Sequence, residues 1–131
     1  MLCKQILKTE KSIRFAGIAN NFGSIIATEY REGLVPLMTN EQTSQYAIEA
    51  VLRAAIREEF ESYIGKLEYS FGKHEKLIHA TVPLTFEKIA YSERKNTKFY
   101  LLLSFDIDSD AKTVIDKKIL PYVKEIKQLS I

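Results

Sequence analysis

TNEQTSQYAIEAVLRAAIREEFESYIG, Thr39 to Gly65, reads as one long helix with both ends marked. Thr39 is a good N-cap, and Gln42 three residues on completes a capping box. Gly65 stands where a helix stops in the left-handed conformation. About 25 residues between them make roughly 37 Å of helix at ~1.5 Å per residue. On a wheel, Ile48, Val51, Leu52, Ala55, Ile56 and Tyr63 form one broad apolar face, which we expect to meet the core. The other side carries Arg53, Arg57 and Glu61, with Ala47, Ala50 and Ala54 running through it and Tyr46 at one end. A helix with two such faces can pack on a sheet and also on a second helix.

Upstream, Leu2 to Glu10 has apolar positions at helical spacing, the mark of a short amphipathic helix. Two apolar runs follow, Ile13–Ala19 and Ser24–Tyr30, joined through Asn20-Asn21-Phe22-Gly23. Asn and Gly tolerate positive φ, so this is a hairpin. Gly17 lies inside the first strand between Ala16 and Ala19, where glycine signals close approach by another backbone, expected to be the long helix. The sharper alternative is a ligand. Arg31–Met38 is a connection punctuated by Gly33 and Pro36.

Downstream, the period changes to two. Leu67, Tyr69 and Phe71 point one way, giving a strand with one wet side. Ile78, Ala80, Val82 and Leu84 give the next strand, with Pro83 expected at its end. Thr85–Thr97 is a charged stretch around Ile89-Ala90-Tyr91, either a long loop or a hairpin extension. Phe99–Phe105 is apolar on both faces and belongs at the centre of a sheet covered on both sides. A last helix, capped by Asp108, Ser109 or Asp110, carries Val114, Ile115, Ile119, Val123 and Ile126 on one side. Pro121 should kink it or end its first segment near Leu120. The order α-β-β-α-β-β-β-α predicts an α/β (α+β) fold, a three-layer α/β/α arrangement around a five-stranded, mainly antiparallel sheet.

By the length prior, residues 1–131 make one domain. A chain 46% hydrophobic and 27% charged is globular rather than disordered. The formal net charge of +2 is too small to argue for nucleic acid or an anionic membrane surface. No apolar run reaches the ~18 residues of a membrane span. One cysteine, Cys3, excludes an internal disulfide, and with no export signal the expected compartment is the cytoplasm.

Motifs with chemistry are few, and no cofactor or metal is expected. Asp106-Ile107-Asp108-Ser109-Asp110 spaces carboxylates like a calcium loop, but Ala111 replaces the glycine and Lys117 the closing glutamate, so helix capping is the better account. His74 and His79 have no metal spacing with Cys3. Glu59 falls among the core-facing positions and reads as a rim residue or the partner of a lysine. No glycine-rich turn precedes a helix, so there is no phosphate loop.

The run Ile13-Arg14-Phe15-Ala16-Gly17-Ile18-Ala19-Asn20, continuing through Gly23 to Ile25-Ile26-Ala27, resembles the opening hairpin of the roadblock/dynein-light-chain family. Arg14-Phe15-Ala16-Gly17, Gly33-Leu34-Val35-Pro36-Leu37, Arg57-Glu58-Glu59-Phe60 and Lys118-Ile119-Leu120-Pro121 are similar to an archaeal group of roadblock-like proteins, a similarity that covers nearly the whole chain. The resemblance implies a roadblock/profilin-like fold, assembly as a dimer, and an adaptor role beside small GTPases with no catalytic centre. Thr85–Thr97 is longer than the corresponding turn of those relatives.

Two functions follow as expectations. The first is a non-enzymatic dimeric adaptor for a small GTPase or another protein. The alternative is a small-molecule sensor of profilin/PAS/GAF type, with a pocket walled by Ala16, Gly17, Ala19 and Thr85–Thr97. For the dimer, the expected seam holds Tyr46, Ala47, Ala50, Arg53, Ala54 and Arg57 of the long helix. Leu67 and Tyr69 of the following strand join it at a sheet edge, and Glu49 and Glu61 of the second copy meet the arginines.

Overall fold

The computed structural model describes residues 1–85, 88–89, 98–126 and 128–129. The elements run α1 (Leu2–Thr9), β1 (Ile13–Asn20), β2 (Ile25–Tyr30), α2 (Asn40–Glu58), α3 (Glu61–Ile64), β3 (Ser70–Lys73), β4 (Leu77–Thr85), β5 (Lys88–Ile89) and β6 (Lys98–Asp106). Next come α4 (Ala111–Val114), a π-helical stretch over Ile115–Ile119, α5 (Leu120–Glu125) and β7 (Gln128–Leu129).

Five strands form one antiparallel sheet in the order β2-β1-β6-β4-β3, and β5 pairs in parallel with β7 apart from it. β6 is central, as its two apolar faces require. Leu101, Leu103 and Phe105 pack with Leu2, Cys3 and Ile6 of α1 and with Val114, Ile115 and Ile119 of the C-terminal helices. Tyr100 and Leu102 face the other way, onto α2. The sheet is therefore covered on both sides, in three layers. Apart from Thr85 and β5, the expected loop or extension over 85–97 lies outside the described residues.

The capping box of α2 is present in both directions: Gln42 N–H donates to Thr39 Oγ1 at 3.1 Å, and Thr39 N–H to Gln42 Oε1 at 2.9 Å. The helix does not run unbroken to Gly65. It ends at Glu58, where i→i−3 bonds from Glu59 and Phe60 tighten the last turn, and α3 adds one turn before Gly65 at φ +91°.

The faces of α2 are largely inverted relative to the wheel reading; of the expected core face, Val51 is buried and Ile48, Leu52, Ala55, Ile56 and Tyr63 are not. Ala47, Ala50, Val51 and Ala54 are the buried positions, packed on Phe15, Ala19, Tyr100 and Leu102. Ile48, Leu52, Ile56 and Tyr63 are exposed. Small side chains let the helix lie close on a sheet already filled by Phe15 and Tyr100. Glu59 is likewise exposed, and its neighbour Glu58 is the half-buried carboxylate.

Gly17 is not the point of close approach by the helix. A methyl there would lie 2.7 Å from the ring of Phe15, so this glycine makes room for that ring. The contact with α2 is made instead by Gly23, at φ +82° in the hairpin turn. The strand expected over Lys66–Gly72 begins four residues late, at Ser70. Its register on β4 runs from Lys73↔Ile78 to Ser70↔Thr81 and stops, leaving Pro83 where the β3 side of β4 is unpaired. Pro83 sits inside β4, opposite Tyr100 of β6, rather than at its end. Leu67 packs with the α2 cluster and Tyr69 with the opposite one, so these two do not share a face.

Among the candidate caps, Asp110 is the residue used: its carboxylate accepts from Thr113 N–H at 3.3 Å and from Thr113 Oγ1 at 2.7 Å. Pro121, which cannot donate to the turn before it, is the second residue of α5, just after the π-helical stretch. Asp106 serves neither a calcium loop nor a cap. It takes a two-pronged contact from Arg31, at 2.8 and 3.1 Å, and a longer one from Arg14 at 3.4 Å. Arg31 also donates to the Lys11 carbonyl, so one guanidinium ties the end of β2 to the start of β1 and the end of β6.

Candidate functional site

α2 presents two different surfaces to its surroundings. The first is an apolar row. Ile48, Leu52 and Ile56 follow one another at i, i+4 and i+8, so they stack along one line of the helix. They are 47%, 58% and 50% exposed, and Tyr63 of α3 is 84% exposed. Large apolar side chains in such a continuous line mark a contact surface more strongly than the same residues scattered singly.

The second surface is a groove of about 480 Å³ between the flank of α2 and the β3–β4 hairpin. Tyr46, Glu49, Arg53 and Arg57 line it from the helix, with Ser70, Phe71, His74, His79 and Thr81 from the hairpin. Its wall is a stack of rings. The Tyr46 and His79 rings are 4.1 Å apart, His74 meets His79 edge-on at 5.5 Å, and the Arg53 guanidinium lies 5.5 Å from the Tyr46 ring. Burial, and then the charges of His74 and Arg53, push His79 down to about 4, so it is neutral at pH 7. Burial raises the Tyr46 phenol above its ordinary value, with Arg53 pulling the other way.

A third cluster closes the C-terminal end of α2. Lys98 Nζ donates to Glu58 Oε2 at 2.6 Å, and Tyr100 Oη donates to the same oxygen at 3.2 Å. Burial, and then the Glu58 carboxylate, push the Tyr100 phenol upward. Glu58 Oε1 is buried with no partner among the described residues. Cys3 of α1 is buried against the sheet, and burial followed by the charge of Glu29 raises its thiol to about 11.

The residues expected at a seam are therefore dispersed. Ala47, Ala50 and Ala54 are covered by their own sheet and offer no surface to a second chain. Tyr46, Arg53 and Arg57 come together in the groove. Leu67 is half-buried, and Tyr69 donates to Asp116 Oδ1 at 2.7 Å on the far side of the sheet. β3 is an outer strand, as expected, but it has only four residues and includes Gly72 and Lys73, which blunt an edge. Of the walls expected of a sensor pocket, the strand wall is filled: Ala16 and Ala19 are 0% exposed, and Phe15 fills the space over Gly17, while most of 85–97 lies outside the described residues. Among the described residues no group of three or more His, Cys, Asp or Glu could hold a metal ion, and no helix is long and apolar enough to cross a membrane.

The ring cluster is what the sequence reading missed. Its members are brought together only when β4 docks under α2, thirty-three positions separating Tyr46 from His79. The one local signal was two histidines bracketing the β3–β4 turn.

No protein-family model matches the sequence, and no curated protein matches it. Solved structures do match the fold. An MglB "with tetrameric arrangement" superposes with a TM-score of 0.67 at 15% identity, covering 96% of this chain and 85% of that one. The gliding protein MglB of Thermus thermophilus gives 0.63 at 14% identity, over 95% of this chain and 87% of that one. A roadblock/LC7 domain from Streptomyces avermitilis gives 0.58 at 9% identity, over 94% and 95%. With five antiparallel strands, α2 on one face and α1 with the C-terminal helices on the other, this chain has a roadblock-like fold.

Proposed function

We propose that this chain is a non-enzymatic adaptor that pairs with a second copy of itself and works beside a small GTPase. One observation carries the reading: the exposed row Ile48–Leu52–Ile56 on a helix whose opposite side is fixed to the sheet. The roadblock-like fold, shared with an MglB described in a tetrameric arrangement, supports it, as does the resemblance of the sequence to a family of GTPase adaptors.

The row suits a two-fold contact. Two copies of α2 crossing antiparallel at Leu52 set Ile48 of each against Ile56 of the other, so every apolar side chain gains a partner. The seam thus lies on the exposed apolar row rather than on the alanines. Arg53 and Arg57 stand to one side of it, on the flank toward β3.

The partner is tested by pull-down from native lysate with the wild type and Leu52→Glu. The adaptor reading expects the wild type to recover a GTP-binding protein and the variant to lose it. A co-purifying metabolite with no protein partner, or equal recovery by both proteins, would contradict it.

A further inference from the structure

We propose that a hollow beneath the connection from β2 to α2 binds a small monocarboxylate, its head at Arg14 and Ser104 and its slender apolar chain running out past Leu77. The hollow is formed within one chain, so this inference does not rest on self-association.

Its floor is a row across the sheet. Tyr30, Phe15, Ser104 and His79 are successive cross-strand partners, on the face that α2 covers. All four line a hollow of about 50 Å³, with Leu34 and Met38 of the connection as its roof. Ser104 is the one small side chain of the row. It is 5% exposed, and its hydroxyl makes no hydrogen bond among the described residues. Buried side-chain polar atoms almost always have a partner, which marks this hydroxyl as a group available to a ligand.

The charge comes from a bulge. Ile13 pairs with Phe105 and Phe15 with Ser104, so Arg14 is one residue in excess, and Arg14 and Phe15 together oppose Ser104. Arg14 also lines the hollow, and its side chain is only 15% exposed. Among the described residues its guanidinium makes one hydrogen bond, of 3.4 Å, to Asp106, a carboxylate that already takes two shorter ones from Arg31. Two guanidiniums sharing one carboxylate leave a positive charge in excess beside the hollow. A guanidinium largely withdrawn from water holds a carboxylate through parallel N–H donors.

Size selects the rest of the ligand. A cavity that admits benzene measures ~150 Å³, about three times this volume, so a ring does not enter and a carboxyl group on a narrow chain does. The hollow adjoins an open cleft of about 340 Å³, because Leu37, Met38, Tyr46, Leu77 and His79 line both. Those mostly apolar walls suit an alkyl chain. From β1 to β4 is two strand spacings, roughly 10 Å, so the chain has several carbons. The roof is lightly held: from Glu32 to Met38 the backbone makes one hydrogen bond among the described residues, Leu34 N–H to the Arg31 carbonyl at 3.0 Å.

The test follows the backbone amide resonances of Ser104 and His79 by NMR during titration with pentanoate, pentanol and pivalate, the branched isomer of pentanoate. Pentanoate is expected to shift both amides saturably. Pentanol lacks the charge and pivalate is too broad beside its carboxylate, so each should bind at least about tenfold more weakly. Arg14→Gln should weaken pentanoate about tenfold and leave pentanol unchanged, a selectivity that a purely structural role for Arg14 does not produce. Ser104→Ala removes the hydroxyl with little change of volume and should weaken pentanoate severalfold. Unmoved amides at tens of millimolar pentanoate, equal binding of pentanol or pivalate, or unchanged pentanoate affinity in either variant would each overturn the proposal.

Discussion

Gly23 rests directly on the backbone of Ile48: a methyl group added at Gly23 would lie 2.6 Å from Ile48 Cα. The same glycine has φ +82°, a conformation that an L side chain adopts only under strain. The β1–β2 turn and α2 are thus joined at a point where no side chain fits. Gly23→Ala should destabilise the fold by about 2–4 kcal/mol, combining left-handed strain with overpacking. Gly33→Ala is the control. Its φ is +77° but nothing lies within 4 Å, so only the strain of about 1–2 kcal/mol remains. Urea denaturation of both variants separates the two contributions; equal losses would contradict the close contact.

The inverted helix faces make opposite demands on neighbouring residues. Ala50 is 1% exposed against the sheet, and Leu52 is 58% exposed. Ala50→Leu should cost about 1–3 kcal/mol by overpacking. Leu52→Ala should change the stability of the single chain by less than about 0.5 kcal/mol. Denaturation at low protein concentration reads this directly, and the reverse order of effects would restore the wheel reading.

Acid should act on the Arg31–Asp106 pair. The Arg31 hydrogen bonds, helped by Arg14, hold the Asp106 carboxyl below its ordinary value. Its stabilising effect is therefore complete above the unfolded carboxylate value of about 4 and is lost as pH falls through the lower folded value. Both side chains keep roughly a third of their exposure, so the scale is that of a screened pair, about 1 kcal/mol. The gap in urea midpoint between wild type and Asp106→Asn should be widest near neutrality and shrink in strong acid. A gap that does not change with pH would show that the charge contributes nothing.

Much of the architecture was legible because its signals are local or unambiguous. The Thr39–Gln42 box spans four residues and needs no tertiary partner. Phe99–Phe105 is apolar on both sides, a pattern that only a central strand satisfies. The faces of α2 misled because a wheel ranks Ile48, Leu52 and Ile56 above alanine in hydrophobicity, whereas the sheet selected for size. Gly17 signalled close approach and Gly23 only a turn, but which one meets the helix depends on where the Phe15 ring lies. The Tyr46–His79 stack and the Arg31–Asp106 contact join residues 33 and 75 positions apart, and no local pattern specifies either.

The central claim is that the exposed row of α2 is a self-contact, and the mass of the particle in solution tests it most directly. Light scattering at tens of micromolar should give the wild type at least twice the 15.1 kDa of one chain and Leu52→Glu the mass of a single chain, with its circular dichroism unchanged. A wild type that remains at 15.1 kDa, or a Leu52→Glu variant that keeps the wild-type mass, would contradict the account.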